Sequence, residues 1–294
     1  MPGPIGVAPV RPAPSTGAAT GPRAVDVSTV DLNSAAFRAL PPSWQTAVKD
    51  AKTFAAANFR GMSAPPKVLV TGAPSNGQAP VSVIVPPNAT APFAVHTHYH
   101  GDGARSLSAN PAGDAIAKRV KAGDATVFIL PEAAKPGSPT DWSNVRRIAD
   151  TTAQSLAGAG LAGDVGPRTL SVHSAGGRAL ANALKNGEQL EADHLVLQDA
   201  LFEGTNGRGA ATFLKEHLPP ASAGVGHITL VPSTGAGAAG LWKDLDEPQL
   251  TRTDVLARQL RAAGRTVDVV GVTTHDDAAR QLQPTAARPW APVR

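Results

Sequence analysis

The chain has no cysteine among its 294 residues. That excludes disulfides, thiolate metal sites and cysteine nucleophiles, and it leaves the redox compartment undecided. Aromatic residues are scarce, with a single tyrosine. Positive charge is thin as well. The formal net charge is only +4, and basic residues stand singly or in pairs, such as Lys118 with Arg119 and Arg146 with Arg147. Without basic runs or aromatic-basic interleaving, no nucleic-acid partner is expected. No apolar run approaches the ~20 residues of a membrane span. The first residues, Met-Pro-Gly-Pro-Ile-Gly-Val-Ala-Pro-Val, carry no basic segment followed by an apolar one. No secretory signal is therefore recognisable, and a cytoplasmic location is the default expectation. Internal repeats are missing too.

Alanine, glycine and proline are abundant. Residues 1–30 consist largely of them and hold few large apolar side chains, so they predict a disordered tail that cannot offset the entropy of ordering. Residues 31–294 predict one folded domain, long enough for a large core.

From residue 31 the chain is patterned. Residues 32–40 and 44–58 predict helices, the second with Val48, Phe54 and Ala55 near helical spacing. Residues 67–71 and 81–85 flank a Gly/Pro/Asn turn and predict a hairpin. Further strands are predicted at 93–99, 125–130, 169–173, 194–197, 227–231 and 266–272. Helices are predicted at 114–121, 142–156, 178–184 and 250–263. Eight strands result. From the third onward, helices alternate with short apolar strands, which predicts a doubly wound, mostly parallel α/β sheet with helices on both faces. Ligands of such sheets sit beyond the carboxyl ends of the strands.

The fifth predicted strand ends in Thr169-Leu-Ser-Val-His-Ser174-Ala-Gly-Gly-Arg178, with a helix following at once. A strand, a sharp turn and a helix would lift Ser174 out of the backbone above the sheet edge. The helix start would point free N–H groups and a positive dipole end at charge developing beside that serine. The plainer reading is a strand-helix turn with a serine cap. Two more segments fall at strand ends. Tyr99-His100-Gly101-Asp102-Gly103 ends the third strand, and Thr273-Thr274-His275-Asp276-Asp277 follows the eighth.

This order of elements, with Val172-His-Ser174-Ala-Gly176-Gly after the fifth strand, resembles the α/β-hydrolase superfamily over about residues 66–280. The turn is similar to the G-x-S-x-G nucleophile elbow, with Val172 where the first glycine is usual and Gly176 where the second is required. The resemblance implies a serine hydrolase of esterase or lipase kind. It implies Ser174 as nucleophile and His275 as base. It also implies an oxyanion hole from the backbone N–H groups of Ala175 and of His100 or Gly101. A serine hydroxyl needs an imidazole to take its proton, and the imidazole needs a carboxylate to hold its tautomer. Asp199, directly after the sixth strand, is the favoured acid. Asp244 and Asp246 are the alternatives. No cofactor or metal is expected. The substrate would be a small-molecule or polymeric ester, or amide. Only residues 200–225 separate the sixth and seventh strands, so no separate cap domain is expected and the site should be open. A non-catalytic binding protein on the same fold is the alternative from a different class.

A third reading comes from Thr97-His98-Tyr-His100-Gly-Asp102, which resembles the ligand run of metallo-β-lactamase-like hydrolases, with Asp199 farther on in a similar setting. Gly103 stands where that run ends in histidine. In an extended strand His96, His98 and His100 share one face. His96 and His98 are expected to be hydrogen-bonded strand residues, and His173 a packing or hydrogen-bonding residue below the elbow. His194, His217 and His227 are expected to be structural or exposed. Trp142 is expected to anchor a helix capped by Thr140 or Asp141. Asp276 and Asp277 are expected to cap the helix beside His275.

Overall fold

The structure, a computed structural model, describes residues 23–72, 79–101, 107–132, 148–200, 218, 225–233 and 249–282. Its strands are β1 (Arg23–Asp26), β2 (Lys67–Gly72), β3 (Val81–Val85), β4 (Phe93–Tyr99), β5 (Val127–Pro131), β6 (Val165–His173), β7 (His194–Gln198), β8 (His227–Val231) and β9 (Thr266–Val269). Its helices are α1 (Ala35–Arg38), α2 (Pro42–Phe59), α3 (Pro111–Lys121), α4 (Ile148–Gly158), α5 (Gly177–Lys185), α6 (Gln249–Ala262) and α7 (His275–Arg280).

The strands form one sheet in the order β1-β2-β3-β5-β4-β6-β7-β8-β9. The β1, β2, β3 and β5 neighbours pair antiparallel, and every pairing from β5 through β4 to β9 is parallel. This is a mostly parallel α/β sheet of the expected kind, with one strand more than the sequence pattern predicts. The extra strand is β1. It lies inside the stretch whose composition reads as a tail, and Val25 and Val27 behind it pack on the core. Four residues suffice because Arg23–Asp26 pair against Leu69–Gly72, residue for residue, on an existing edge. The disordered stretch predicted over 1–30 therefore ends too late, and the folded part reaches back to Arg23.

Both faces are covered. Helices α4, α5 and α6 lie on one face. There Leu180 and Leu184 of α5, with Leu256 and Leu260 of α6, pack on Leu170, Val172, Leu195, Leu197, Ile228 and Leu230. Leu156 of α4 packs on Val83, Val95, Val127 and Ile129. Helices α2 and α3 cover the other face through Trp44, Phe54 and Ile116, against Val68, Val70, Ile84 and Phe128. Ala278 of α7 closes that face over Val196 and Val231. The alternation of side chains along each strand explains the split: Val68 and Val70 join one cluster and Leu69 the other.

No helix among the described residues is long and apolar enough to cross a membrane. Residues 102–106, 133–147, 201–217, 219–224, 234–248 and 283–294 lie outside the described residues. So do the expectations for Asp102, Gly103, Thr140, Asp141, Trp142, His217, Asp244 and Asp246.

Candidate active site

Ser174 opens a single 3-10 turn, Ser174–Gly176, between β6 and α5. Its φ is +49°, a left-handed conformation that costs a non-glycine residue about 1–2 kcal/mol. The surroundings explain how the turn is held. Gly176 passes against the end of β4, where a Cβ would lie 2.4 Å from the Tyr99 carbonyl oxygen. Gly177 passes against the end of β7, where a Cβ would lie 2.4 Å from the Ala200 carbonyl oxygen. The turn is wedged between the two neighbouring strands, and both glycines are needed for sterics. Val172, in place of the usual small residue, costs no space. Its side chain faces the α5 side and packs in the core with Tyr99 and Leu197.

Gly101 comes next to the serine from the other side. A Cβ on it would lie 2.7 Å from Ser174 Cβ and 3.0 Å from His173 Nδ1. The backbone after β4 therefore runs directly over the turn. Ala175 is buried beside it. His100 is buried as well, and its Nδ1–H donates to the Gly101 carbonyl oxygen at 2.7 Å.

His275 is the first residue of α7. Thr274 caps that helix through a reciprocal box. The Asp277 N–H donates to Thr274 Oγ1 at 3.1 Å, and the Thr274 N–H donates to Asp277 Oδ2 at 3.2 Å. Of the two acids expected to cap, Asp277 closes the box. Asp199, buried just beyond β7, accepts from His275 Nδ1 at 2.8 Å. Its other oxygen accepts the Ser233 N–H at 2.7 Å. Asp199 also has a positive φ, +48°, so the chain kinks as it leaves β7 and turns the carboxylate toward α7. With Nδ1–H given to Asp199, the His275 Nε2 carries a lone pair. Among the described residues, no hydrogen bond joins the Ser174 hydroxyl to His275.

The structure thus brings Ser174, Ala175, His100, Gly101, Asp199 and His275 to the carboxyl edge of β4, β6 and β7. His173 is the hydrogen-bonding residue expected of it, and the sequence pattern missed two further contributors, Gln198 and Ser233. His173 donates from Nε2 to the His275 carbonyl oxygen at 3.1 Å. Gln198 donates from Nε2 to the Ala279 carbonyl oxygen at 3.1 Å and so anchors α7. Ser233 contributes only a backbone N–H, which leaves no mark in a sequence.

The histidines of β4 are committed elsewhere. His96 Nε2 and His98 Nδ1 each lie 2.8 Å from Ser171 Oγ. Arg119 Nη1 lies 3.4 Å from His96 Nδ1. Burial, and for His96 the Arg119 charge, hold both imidazoles well below the usual range. Both are the hydrogen-bonded strand residues expected of them. His194 and His227 stack at 4.2 Å, and His227 Nε2 pairs with Asp268 at 2.7 Å. Among the described residues no group of three or more His, Cys, Asp or Glu is placed to hold a metal ion. Asp102, the acid of the metal-ligand resemblance, lies outside the described residues.

The turn at Ser174 follows the fifth of the eight strands from β2 onward, as in the order of elements that carries the resemblance. The chain has a mostly parallel α/β sheet covered by helices on both faces, the fold class that the resemblance implies. No family model matches the sequence, and no curated protein matches it. Solved structures do show likenesses. One is esterase 2 of Thermogutta terrifontis, 14% identical over 66% of this chain and 76% of that chain, with a TM-score of 0.44. Another is an S-formylglutathione hydrolase of Agrobacterium tumefaciens, 12% identical over 74% of this chain and 92% of that chain, with a TM-score of 0.47. A third is carboxyl esterase 2 of the fungus Tuber melanosporum, 13% identical over 76% and 83%, with a TM-score of 0.44.

Proposed function

We propose that this protein is a serine hydrolase that cleaves an ester, or an amide, through an acyl-enzyme. The observation that carries the reading is the 2.8 Å pairing of His275 Nδ1 with the buried Asp199, beside a serine held at positive φ on the neighbouring strand end. In this reading the Ser174 hydroxyl oxygen attacks the substrate carbonyl carbon while His275 Nε2 takes its proton. Asp199 keeps the histidine hydrogen on Nδ1 and stabilises the imidazolium that forms. The Ala175 N–H and a backbone N–H of His100 or Gly101 would receive the oxyanion, a single such donor being worth ~2.7–4 kcal/mol. The imidazolium then protonates the leaving group. Water, activated by the same imidazole, releases the acid and restores Ser174. The acyl substrate is small or polymeric.

The decisive experiment is labelling with a fluorophosphonate. Ser174 should be modified in the wild type, and Ser174→Ala should remove the label while the protein stays folded. Labelling that survives Ser174→Ala, or none on folded wild-type protein, would sink the reading. The missing hydrogen bond between Ser174 and His275 favours a second reading, a binding protein that has kept the fold without turnover. Catalytic hydrogen bonds in ligand-free sites are often long and tighten with substrate, so the first reading is preferred. The same labelling experiment separates the two.

A further inference from the structure

His173 lies directly beneath the site and takes no part in the chemistry proposed above. It ends β6 and is buried. Its Nε2 is 3.1 Å from the His275 carbonyl oxygen. A carbonyl only accepts, so the single hydrogen of the neutral ring sits on Nε2. Its Nδ1 is buried with no hydrogen-bond partner among the described residues, facing Gly101. The rings of His173 and His275 are 4.4 Å apart between centroids, tilted by 41°.

A buried acceptor without a partner is unfavourable. A phenyl ring would fill the same space without that cost. What the imidazole does here that a phenyl ring would not is hold the backbone of His275.

We propose that His173 is a positioning residue, whose Nε2–H fixes the backbone of His275 at the first turn of α7 so that its imidazole keeps one orientation between Asp199 and Ser174. The inference rests on the reading of Ser174 and His275 as nucleophile and base. Asp199 holds the side chain of His275 at one nitrogen only. The backbone beneath that side chain belongs to a six-residue helix at the sheet edge. His173 ties the backbone at its first residue, and Gln198 ties the helix four residues later, at Ala279. A reacting group displaced by about 1 Å loses up to about 10²-fold in rate. The clamp is indifferent to pH in the working range. Burial, reinforced by His275, pushes the His173 imidazole down to about 3, so it stays neutral.

Two substitutions separate the parts. His173→Phe keeps a ring and loses the N–H. His173→Gln loses the ring and keeps an amide N–H at about the reach of Nε2. Two readouts are taken: the second-order rate of fluorophosphonate labelling at Ser174, and the low-field proton resonance of His275 Nδ1–H. Melting curves check the fold. His173→Phe should melt at or above the wild type, because the unpaired Nδ1 is gone. Its labelling should fall by about 10- to 100-fold, and the low-field resonance should broaden. His173→Gln should recover most of both. Unchanged labelling and resonance in His173→Phe would overturn the proposal. If His173→Phe fails to fold, the glutamine variant decides alone: both signals retained support the clamp, and both lost in a folded protein overturn it. Failure of the wild type to label sinks the hydrolase reading by itself. The resonance does not depend on Ser174 chemistry and still reports whether His173 holds His275.

Discussion

Asp199 Oδ2 and His275 Nδ1 meet at 2.8 Å across 76 positions of sequence. The carboxylate is fully buried and the histidine side chain is partly exposed. The pair is therefore anchored from the protein side and open on the other.

If this pair serves Ser174, its members act as one unit. His275→Ala should lose orders of magnitude in turnover, because the hydroxyl loses its proton acceptor. Asp199→Asn should cost on the order of 10⁴-fold, as for the acid of a chymotrypsin-type triad. The double variant should be little worse than the poorer single one. Steady-state kinetics on a chromogenic ester would measure this. A near-neutral Asp199→Asn would move the role to Asp244 or Asp246.

Gly176 offers a test of the wedge. A Cβ there meets the Tyr99 carbonyl oxygen at 2.4 Å, and backbone cannot yield as a flexible side chain does. Gly176→Ala should destabilise by about 1–3 kcal/mol, the usual range for overpacking, and should lower labelling of Ser174. Urea unfolding with a parallel labelling assay would show both. A variant as stable and reactive as the wild type would mean that the turn is not confined between β4 and β7.

Much of this was legible in one dimension. The Phe93–Tyr99 and His227–Val231 strands emerge with the predicted bounds, because β-branched and apolar residues crowd between polar breaks. Ser174 and Asp199 stand out because each directly follows a strand, and His275 because it opens the helix that comes soon after β9. β1 was hidden, since Arg-Ala-Val-Asp is too short for a period and sits in a Pro- and Ala-rich stretch. The partner of His173 and the role of Gln198 were hidden for another reason. Their partners are backbone carbonyls more than 80 positions away, which any residue type could supply.

Glu132 gives a pH dependence. It is buried beyond β5, and burial, with Asp50 adding repulsion, raises its carboxyl well above the usual range. The folded state therefore holds the proton more tightly than the unfolded one. Its contribution to stability is full below the unfolded value of 4.5 and is lost as pH rises through the folded value. Glu132→Gln should remove that loss. Denaturant midpoints measured from pH 4 to pH 8 should decline less in the variant, and parallel curves would refute the assignment.

The N-terminal boundary is testable by truncation. Removing residues 1–28 takes away β1 and Val27 and bares the edge of β2. The truncated protein should melt several degrees lower. An unchanged melting temperature would mean that β1 adds nothing to the sheet.

The buried Ser171 hydroxyl has one hydrogen and two imidazoles to serve. Arg119 can only donate, so His96 must accept at Nδ1 and carry its own hydrogen on Nε2. His96 then gives to Ser171, and Ser171 gives to His98. The row has a head and a tail. Its sense is set by a guanidinium near the surface and handed along β4 toward the strand end where Gly101 crosses Ser174. No charge moves along it, so a titration would not register its direction, although each member depends on the one before.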